Sequence, residues 1–172
     1  VIDLTIMKNN NEDYYQMYYT SGSTGKPKGV LLTYDNVIKH MLGIIIEMKI
    51  TESDIWLHVS PMFHLVDAFS IYSLPYIGGT QVIQNRYLCE DTIKFLSKYR
   101  ITITNIASTV GKIIIQNPIA NNYEYNLRIL SCGGSPLDNI SVKKIKELFK
   151  CEFFVSYGMT ECCGKISMSL LN

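Results

Sequence analysis

Short runs of β-branched and aromatic residues alternate along this chain with segments of ten to fifteen residues whose apolar positions recur at helical spacing. That alternation constrains the fold more than any single motif. Strands are predicted over 5–7, Tyr14–Thr20, 30–32, 55–59, 80–84, 101–106, 127–131 and 152–156, with the tyrosine-rich Tyr14–Thr20 buried and 30–32 closing a hairpin on it. Helices are predicted over 34–48, 64–74, 89–99, 108–116 and 136–150. Thr33 is placed to cap the first, with Val37, Met41, Ile44, Ile45 and Met48 on one face. Ile93 and Leu96 point inward from the third, Asn117-Pro118 closes the fourth, and Ser135-Pro136 opens the last. Strand–helix alternation of this kind predicts an α/β fold, a mostly parallel sheet flanked by helices on both faces. Right-handed crossovers then gather every strand-to-helix loop on one edge, the carboxyl edge, where open α/β sheets bind ligands.

The segment 19–29, YTSGSTGKPKG, follows the first hairpin strand directly. Ser21, Ser23 and Thr24 supply hydroxyls, Gly22, Gly25 and Gly29 allow close backbone approach, and Lys26 and Lys28 add charge. A loop dense in N–H donors, hydroxyls and ammonium groups suits a polyanion such as a triphosphate. Its spacing excludes two better-known phosphate loops. Gly22 precedes Gly25 by only three residues and Lys26 is followed by Pro27, so no P-loop forms, and no G-x-G occurs for a dinucleotide fingerprint. The alternative, a glycine-rich surface loop with solvated lysines, would hold for an arbitrary Gly/Ser loop but is disfavoured by the hydroxyls, three glycines and two lysines that fall here in one order.

Composition narrows the partners. Sixteen basic against fifteen acidic residues, a net charge of +1, make no electrostatic case for a nucleic-acid polymer or an anionic membrane. Five cysteines without a C-x-x-C pair argue against a disulfide framework or zinc site and for a reducing compartment, hence a cytoplasmic location. No apolar run approaches the roughly 20 residues of a membrane-spanning helix.

Four segments then fall in a recognisable order. YTSGSTGKPKG resembles the signature loop of the adenylate-forming (AMP-binding) superfamily, which includes acyl-CoA synthetases, coumarate-CoA-ligase-like enzymes, luciferases and peptide-synthetase adenylation domains. PMFH at 61–64 is similar to the motif carrying the family's acyl-site histidine. LRILSCGGSPL at 127–137 is similar to its adenine segment, with Ser135 where alanine is usual, and YGMTE at 157–161 to its Tyr-Gly-x-Thr-Glu motif. Gly111-Lys112 departs from a proline-bearing pattern, so a shifted or more mobile helix is expected there.

The resemblance implies ATP-dependent activation of a carboxylic acid, first of all a fatty acid, to an acyl-adenylate, and transfer to coenzyme A. An aromatic or amino acid substrate stays open, as does a non-catalytic nucleotide-binding module. It implies ATP and AMP contacts from Thr20, Ser21, Gly22, Ser23, Thr24, Gly25, Lys28, Gly133, Gly134, Ser135, Tyr157, Gly158, Met159 and Thr160. Lys28, Thr160 and Glu161 take the catalytic roles, Glu161 as the Mg²⁺ ligand, and His64 walls the acyl and thiol channel. Opening at Val1 and closing at Asn172, the chain resembles an internal fragment of the family's large N-terminal domain, with the C-terminal domain absent. A ribose-binding aspartate and a catalytic lysine are expected beyond it. The fragment alone is therefore expected to be inactive and prone to self-association through truncated surfaces, and membrane association of the parent stays open.

Overall fold

The computed structural model describes residues 12–21 and 25–171. The strand expected at 5–7 lies outside them, as do Gly22, Ser23 and Thr24 of the phosphate loop. The described chain opens with an antiparallel ribbon of β1 (Tyr14–Thr20) and β2 (Lys28–Thr33), paired from Tyr14↔Thr33 to Thr20↔Lys28. The basic Gly/Ser segment is therefore the connection of a hairpin. β1 is not buried as predicted: Tyr14, Met17 and Tyr19 are exposed. A two-stranded ribbon can cover one face at most, and tyrosine tolerates the wet side because its hydroxyl is solvated there. Thr33 caps α1 (Tyr34–Glu47) as expected, accepting from the Asn36 N–H while the Asn36 side chain accepts from the Thr33 N–H. Val37, Met41 and Ile44 turn inward from it and Met48 closes the same face, with Ile45 half-buried.

A six-stranded sheet follows, in the order β4-β3-β5-β6-β7-β8. Its members are β3 (Ile55–His58), β4 (Thr80–Ile83), β5 (Ile103–Ala107), β6 (Ile129–Gly133), β7 (Glu152–Met159) and β8 (Gly164–Leu170). All pairings are parallel except β7 with β8. The other helices are α2 (Leu65–Ala68), α3 (Ser70–Ile77), α4 (Cys89–Lys98), α5 (Ser108–Gln116) and α6 (Asn139–Phe149). Trp56, Ile103, Ile129 and Phe154 face Ile44, Met48, Phe69 and Leu74 on one side. Leu57, Ile106, Leu130 and Phe153 face Ile93, Leu96, Ile114 and Ile145 on the other. Adjacent strand residues thus enter opposite cores, which is why apolar pairs such as Trp56-Leu57, Ile129-Leu130 and Phe153-Phe154 stand side by side in the sequence. Each such side chain contributes about 1.5–3 kcal/mol on burial.

Three further expectations are corrected. The helix predicted over 64–74 divides into α2 and α3, because Ser70 Oγ donates to the Asp67 carbonyl at 2.6 Å and competes for the oxygen that would continue the ladder. The last helix begins later than 136. Asp138 is the better cap, accepting from the Ser141 N–H at 2.8 Å and the Ser141 hydroxyl at 2.9 Å, so Pro136 stays in the loop. The strand after the YGMTE motif, β8, was missed. By contrast α5 is unshifted despite Gly111: a Cβ there would meet Ile145 at 3.3 Å, so the glycine sits in a tight helix contact. Among the described residues no helix is long and apolar enough to cross a membrane.

Candidate active site

A cleft of about 520 Å³ opens at the carboxyl edge of the parallel strands. The loop after β3 contributes Val59, Ser60, Pro61 and His64, and α2 adds Leu65 and Val66. Gly133 and Gly134 at the end of β6, Ser156 with Gly158, Met159 and Thr160 on and after β7, and Gly164 with Lys165 on β8 complete most of the lining. Segments as far apart in sequence as Val59 and Lys165 meet here because each parallel strand ends on the same edge.

Two glycines are required by geometry. Gly134 holds φ +85°, a conformation side chains rarely adopt, and turns the chain from β6 toward α6. At Gly158 an added Cβ would lie 2.0 Å from the Gly164 carbonyl oxygen, so only a residue without a side chain lets β8 cross there. The pairing also slips between Tyr157 and Gly158, and this irregularity sets Lys165 beside Gly158.

Under α2 the sheet face turns polar toward the cleft. Asp67, fully buried, accepts from Trp56 Nε1 at 3.0 Å, the Val59 N–H at 3.1 Å and the Ser70 hydroxyl at 3.3 Å. These bonds pin α2, and with it His64, to β3. His58, also buried, lies with Nδ1 3.4 Å from Asp67 Oδ1. Asn105 Nδ2 donates to the Val66 carbonyl, while its Oδ1 is buried without a hydrogen bond among the described residues. Lys165 runs inward past Gly158, and its Nζ donates to Ser131 Oγ on β6 at 2.7 Å and sits 5.0 Å from the Phe69 ring centre. Burial pushes the Lys165 amine down to about 7, although the Asp67 carboxylate pulls the other way. The Lys165 N–H donates to His40 Nε2 at 3.0 Å, which fixes the backbone of β8 to α1. Burial in turn holds the His40 imidazole below its ordinary value.

Of the residues singled out in the sequence, Gly133, Gly134, Gly158, Met159, Thr160 and His64 line this one cleft. His64 is exposed at its rim, in the residue before α2, its ring against Phe63 at 4.5 Å. Ser135 lies outside it and anchors the β6 loop through its carbonyl, which accepts from the Ser108 hydroxyl at 2.6 Å. Tyr157 is 65% exposed, its ring open on the surface beside Gly158. Glu161 is exposed in the 3-10 turn Thr160–Cys162, next to Thr160. Thr20 ends β1, Ser21 and Lys28 are exposed on either side of the hairpin connection, and Gly25 holds φ +82° within it. The hairpin is held against the YGMTE turn by Leu32, which shares a buried cluster with Cys163, Val37 and Leu65. Cys163 is therefore buried in this packing, whereas Cys162 is exposed.

Among the described residues no group of three His, Cys, Asp or Glu side chains is placed to hold a metal ion by itself. A single exposed carboxylate, Glu161, fits instead a magnesium ion that brings phosphate oxygens with it, since Mg²⁺ is commonly held by one or two carboxylates plus substrate phosphates. Sequence reading missed Lys165, Ser131 and Asp67. Asp67 had a signal: a carboxylate inside the apolar run 65–69, close to the only tryptophan, needs a buried donor.

The model of the AMP-binding enzyme family matches residues 4–171. The chain belongs to that family. It is 30% identical over 161 residues to the 2-succinylbenzoate–CoA ligase of Bacillus subtilis (strain 168), covering 90% of this chain and 32% of that protein. To the 4-coumarate–CoA ligase of Pinus taeda it is 28% identical over 171 residues, 95% of this chain and 32% of that protein. Its fold superposes on the O-succinylbenzoate coenzyme A synthetase (MenE) of B. subtilis in complex with ATP and magnesium ion with a TM-score of 0.85, at 27% identity over 94% of this chain and 33% of that one. The N-terminal domain of FACL13 from Mycobacterium tuberculosis shares the fold, with a TM-score of 0.88 at 23% identity, over 95% of this chain and 41% of that one. The chain thus spans about a third of the length of the curated relatives it matches.

Proposed function

We propose that the protein to which this chain belongs is an ATP-dependent acid–thiol ligase. A carboxylate oxygen attacks the α-phosphorus of ATP and pyrophosphate leaves. The thiol of coenzyme A then attacks the acyl carbon of the adenylate, giving the thioester and AMP. The observation that carries this reading is the convergence of His64, Gly133-Gly134 and Gly158–Thr160 on one cleft, with the basic hairpin packed beside it through Leu32 and Cys163.

In this reading Ser21, Gly22, Ser23, Thr24, Gly25 and Lys28, with Thr20 at their base, grip the β- and γ-phosphates as pyrophosphate forms. Positioning and fixed positive charge dominate such a step, because two anions must meet. Thr160 hydrogen-bonds the α-phosphate and Glu161 holds the Mg²⁺ that accompanies ATP, which neutralises phosphate charge when bound. Gly133, Gly134 and Ser135 present backbone to the adenine and Tyr157 supplies a ring for stacking. His64 and the apolar walls Val59, Leu65 and Val66 border the acyl group.

The acid is a fatty acid or an aromatic acid, and the second receives support from relatives named for 2-succinylbenzoate and 4-coumarate. The chain is read as part of the family's N-terminal domain, and a cytoplasmic setting is supported by its five free cysteines. The test is a pyrophosphate-release screen of the intact protein against fatty acids of graded length and against benzoate and cinnamate derivatives. Acid-dependent release followed by thioester formation is expected. ATP binding without acid-dependent release would replace this reading with the non-catalytic module.

A further inference from the structure

The acid-facing part of the cleft is apolar on most sides: Val59, Pro61, Leu65, Val66 and Val110 line it, and among the described lining residues there is no aspartate or glutamate. Lys165 is the lining lysine, and nothing in the ligase reading above gives it a task. Its nitrogen has three donors, of which Ser131 Oγ takes one at 2.7 Å. An ammonium brought under a helix beside an aromatic ring is retained at a desolvation cost, and a bound anion would offset that cost.

Resting on the acid-activating reading, we propose that Lys165 is a specificity-determining residue that selects carboxylic acids carrying a second carboxylate over hydrocarbon acids of the same skeleton. The cation meets the second carboxylate inside the cleft, while the reacting carboxylate lies toward Thr160. Ser131 and the Phe69 ring hold the nitrogen in place, and His40 holds the backbone that carries it. The groups that bear on its charge are Asp67 from α2, His58 behind Asp67 from β3, His40 from α1 and Cys132 from β6. Asp67 is already occupied by Trp56, Val59 and Ser70 donors, which leaves Lys165 available to a ligand anion. With burial holding the amine near 7, a second carboxylate binds best at or below neutral pH, where the nitrogen is charged.

The experiment compares kcat/KM of the intact protein for two matched pairs, adipate against hexanoate and 4-carboxycinnamate against 4-methylcinnamate. Wild-type protein is expected to prefer the diacid of at least one pair, and Lys165→Met to lower that preference roughly tenfold or more. The preference of the wild type should decline from pH 6.5 to pH 9, while Lys165→Arg, charged throughout, keeps it. An unchanged preference in Lys165→Met, or an equal loss for both acids of a pair, overturns the assignment. So does a wild type that favours the hydrocarbon acid of both pairs. If Lys165→Met does not fold, Lys165→Arg still decides, because a pH profile identical to that of wild type also overturns it. Acid-dependent pyrophosphate release with no diacid preference removes the Lys165 assignment alone, whereas no release with any acid removes the ligase reading along with it.

Discussion

The two edges of the central sheet each bury a charged group, and they treat it in opposite ways. At the amino edge, Asp54 accepts from Arg128 Nε at 2.7 Å and Nη2 at 2.6 Å, from the Thr51 N–H at 2.8 Å and from the Thr102 hydroxyl at 2.8 Å. Arg128 spends further donors on the Met48 and Lys49 carbonyls. Every group is matched, and the ends of α1, β3, β5 and β6 are clamped together. At the carboxyl edge, Lys165 has one hydrogen-bond acceptor, Asn105 Oδ1 and both His58 nitrogens are buried without hydrogen bonds among the described residues, and an open cleft lies alongside. A closed polar network stabilises; an open one in a cavity is available to a ligand. The contrast assigns stability to one edge and recognition to the other.

The harshest way to break that division is Gly158→Val. Its Cβ would overlap the Gly164 carbonyl, a backbone atom that cannot swing aside. The variant should lose more than about 3 kcal/mol and detach β8 from β7, removing Lys165 from the cleft as well. Denaturant titration of the intact protein measures this, and a wild-type midpoint would refute the crossing geometry.

Asp54→Asn probes the amino edge alone. It should destabilise by about 3 kcal/mol, since Arg128 loses its charge partner while its carbonyl contacts persist, and leave the KM for ATP unmoved. Burial would raise the Asp54 carboxyl, but the Arg128 hydrogen bond, then Thr51 and Thr102, outweigh it and hold the group below its ordinary value. A depressed carboxyl contributes stability that is full above its unfolded value of 3.8 and disappears as pH falls through the folded value. Acid titration of unfolding should therefore separate wild type from variant above about pH 4 and merge them below. A shifted KM would show that the two edges are coupled.

Lys28→Ala tests the recognition side without touching a buried group. Lys28 is exposed at the start of β2, so stability should hold within about 0.5 kcal/mol. The loss of one charge-assisted phosphate contact should cut catalytic efficiency with ATP roughly tenfold or more. Unchanged kinetics would remove the hairpin from the site.

The same contrast separates what the sequence made legible from what it did not. Strands such as Ile103–Ala107 and Ile129–Gly133 are read easily because short, β-branched stretches bounded by turn residues mark them, even though both faces are buried and Thr104, Asn105 and Ser131 interrupt their apolar positions. The capping of α1 by Thr33 is likewise local. Gly133, Gly134 and Gly158 of the cleft were found because motifs marked them, whereas Gly164, outside any motif, was not. Lys165 was not, since its placement depends on the slipped pairing at Tyr157 and Gly158 and on a partner thirty-four residues away, Ser131. β8 itself carries alternating serines that look like a loop until β7 supplies hydrogen bonds. Clefts are assembled from strand ends, and the contacts between strand ends are long-range.

The smallest expected effect has the opposite sign from the rest. If Lys165 is kept for a ligand, the unliganded fold bears a cost for holding it, and Lys165→Met should raise stability by about 1 kcal/mol at pH 6 to 7. The sign follows from protonation. Burial lowers the folded amine from 10.5 to about 7, so between those values the unfolded chain binds more protons and stability rises with pH. The penalty is complete below about pH 7 and has been relieved once pH passes 10.5. The advantage of Lys165→Met should therefore be greatest near neutrality or below and shrink steadily toward pH 10, the reverse of the dependence expected at Asp54. Thermal unfolding at pH 6, 8 and 10 measures it. A variant less stable than wild type at every pH would mean that the Ser131 and Phe69 contacts outweigh the desolvation, making Lys165 a second clamp and erasing the difference between the two edges.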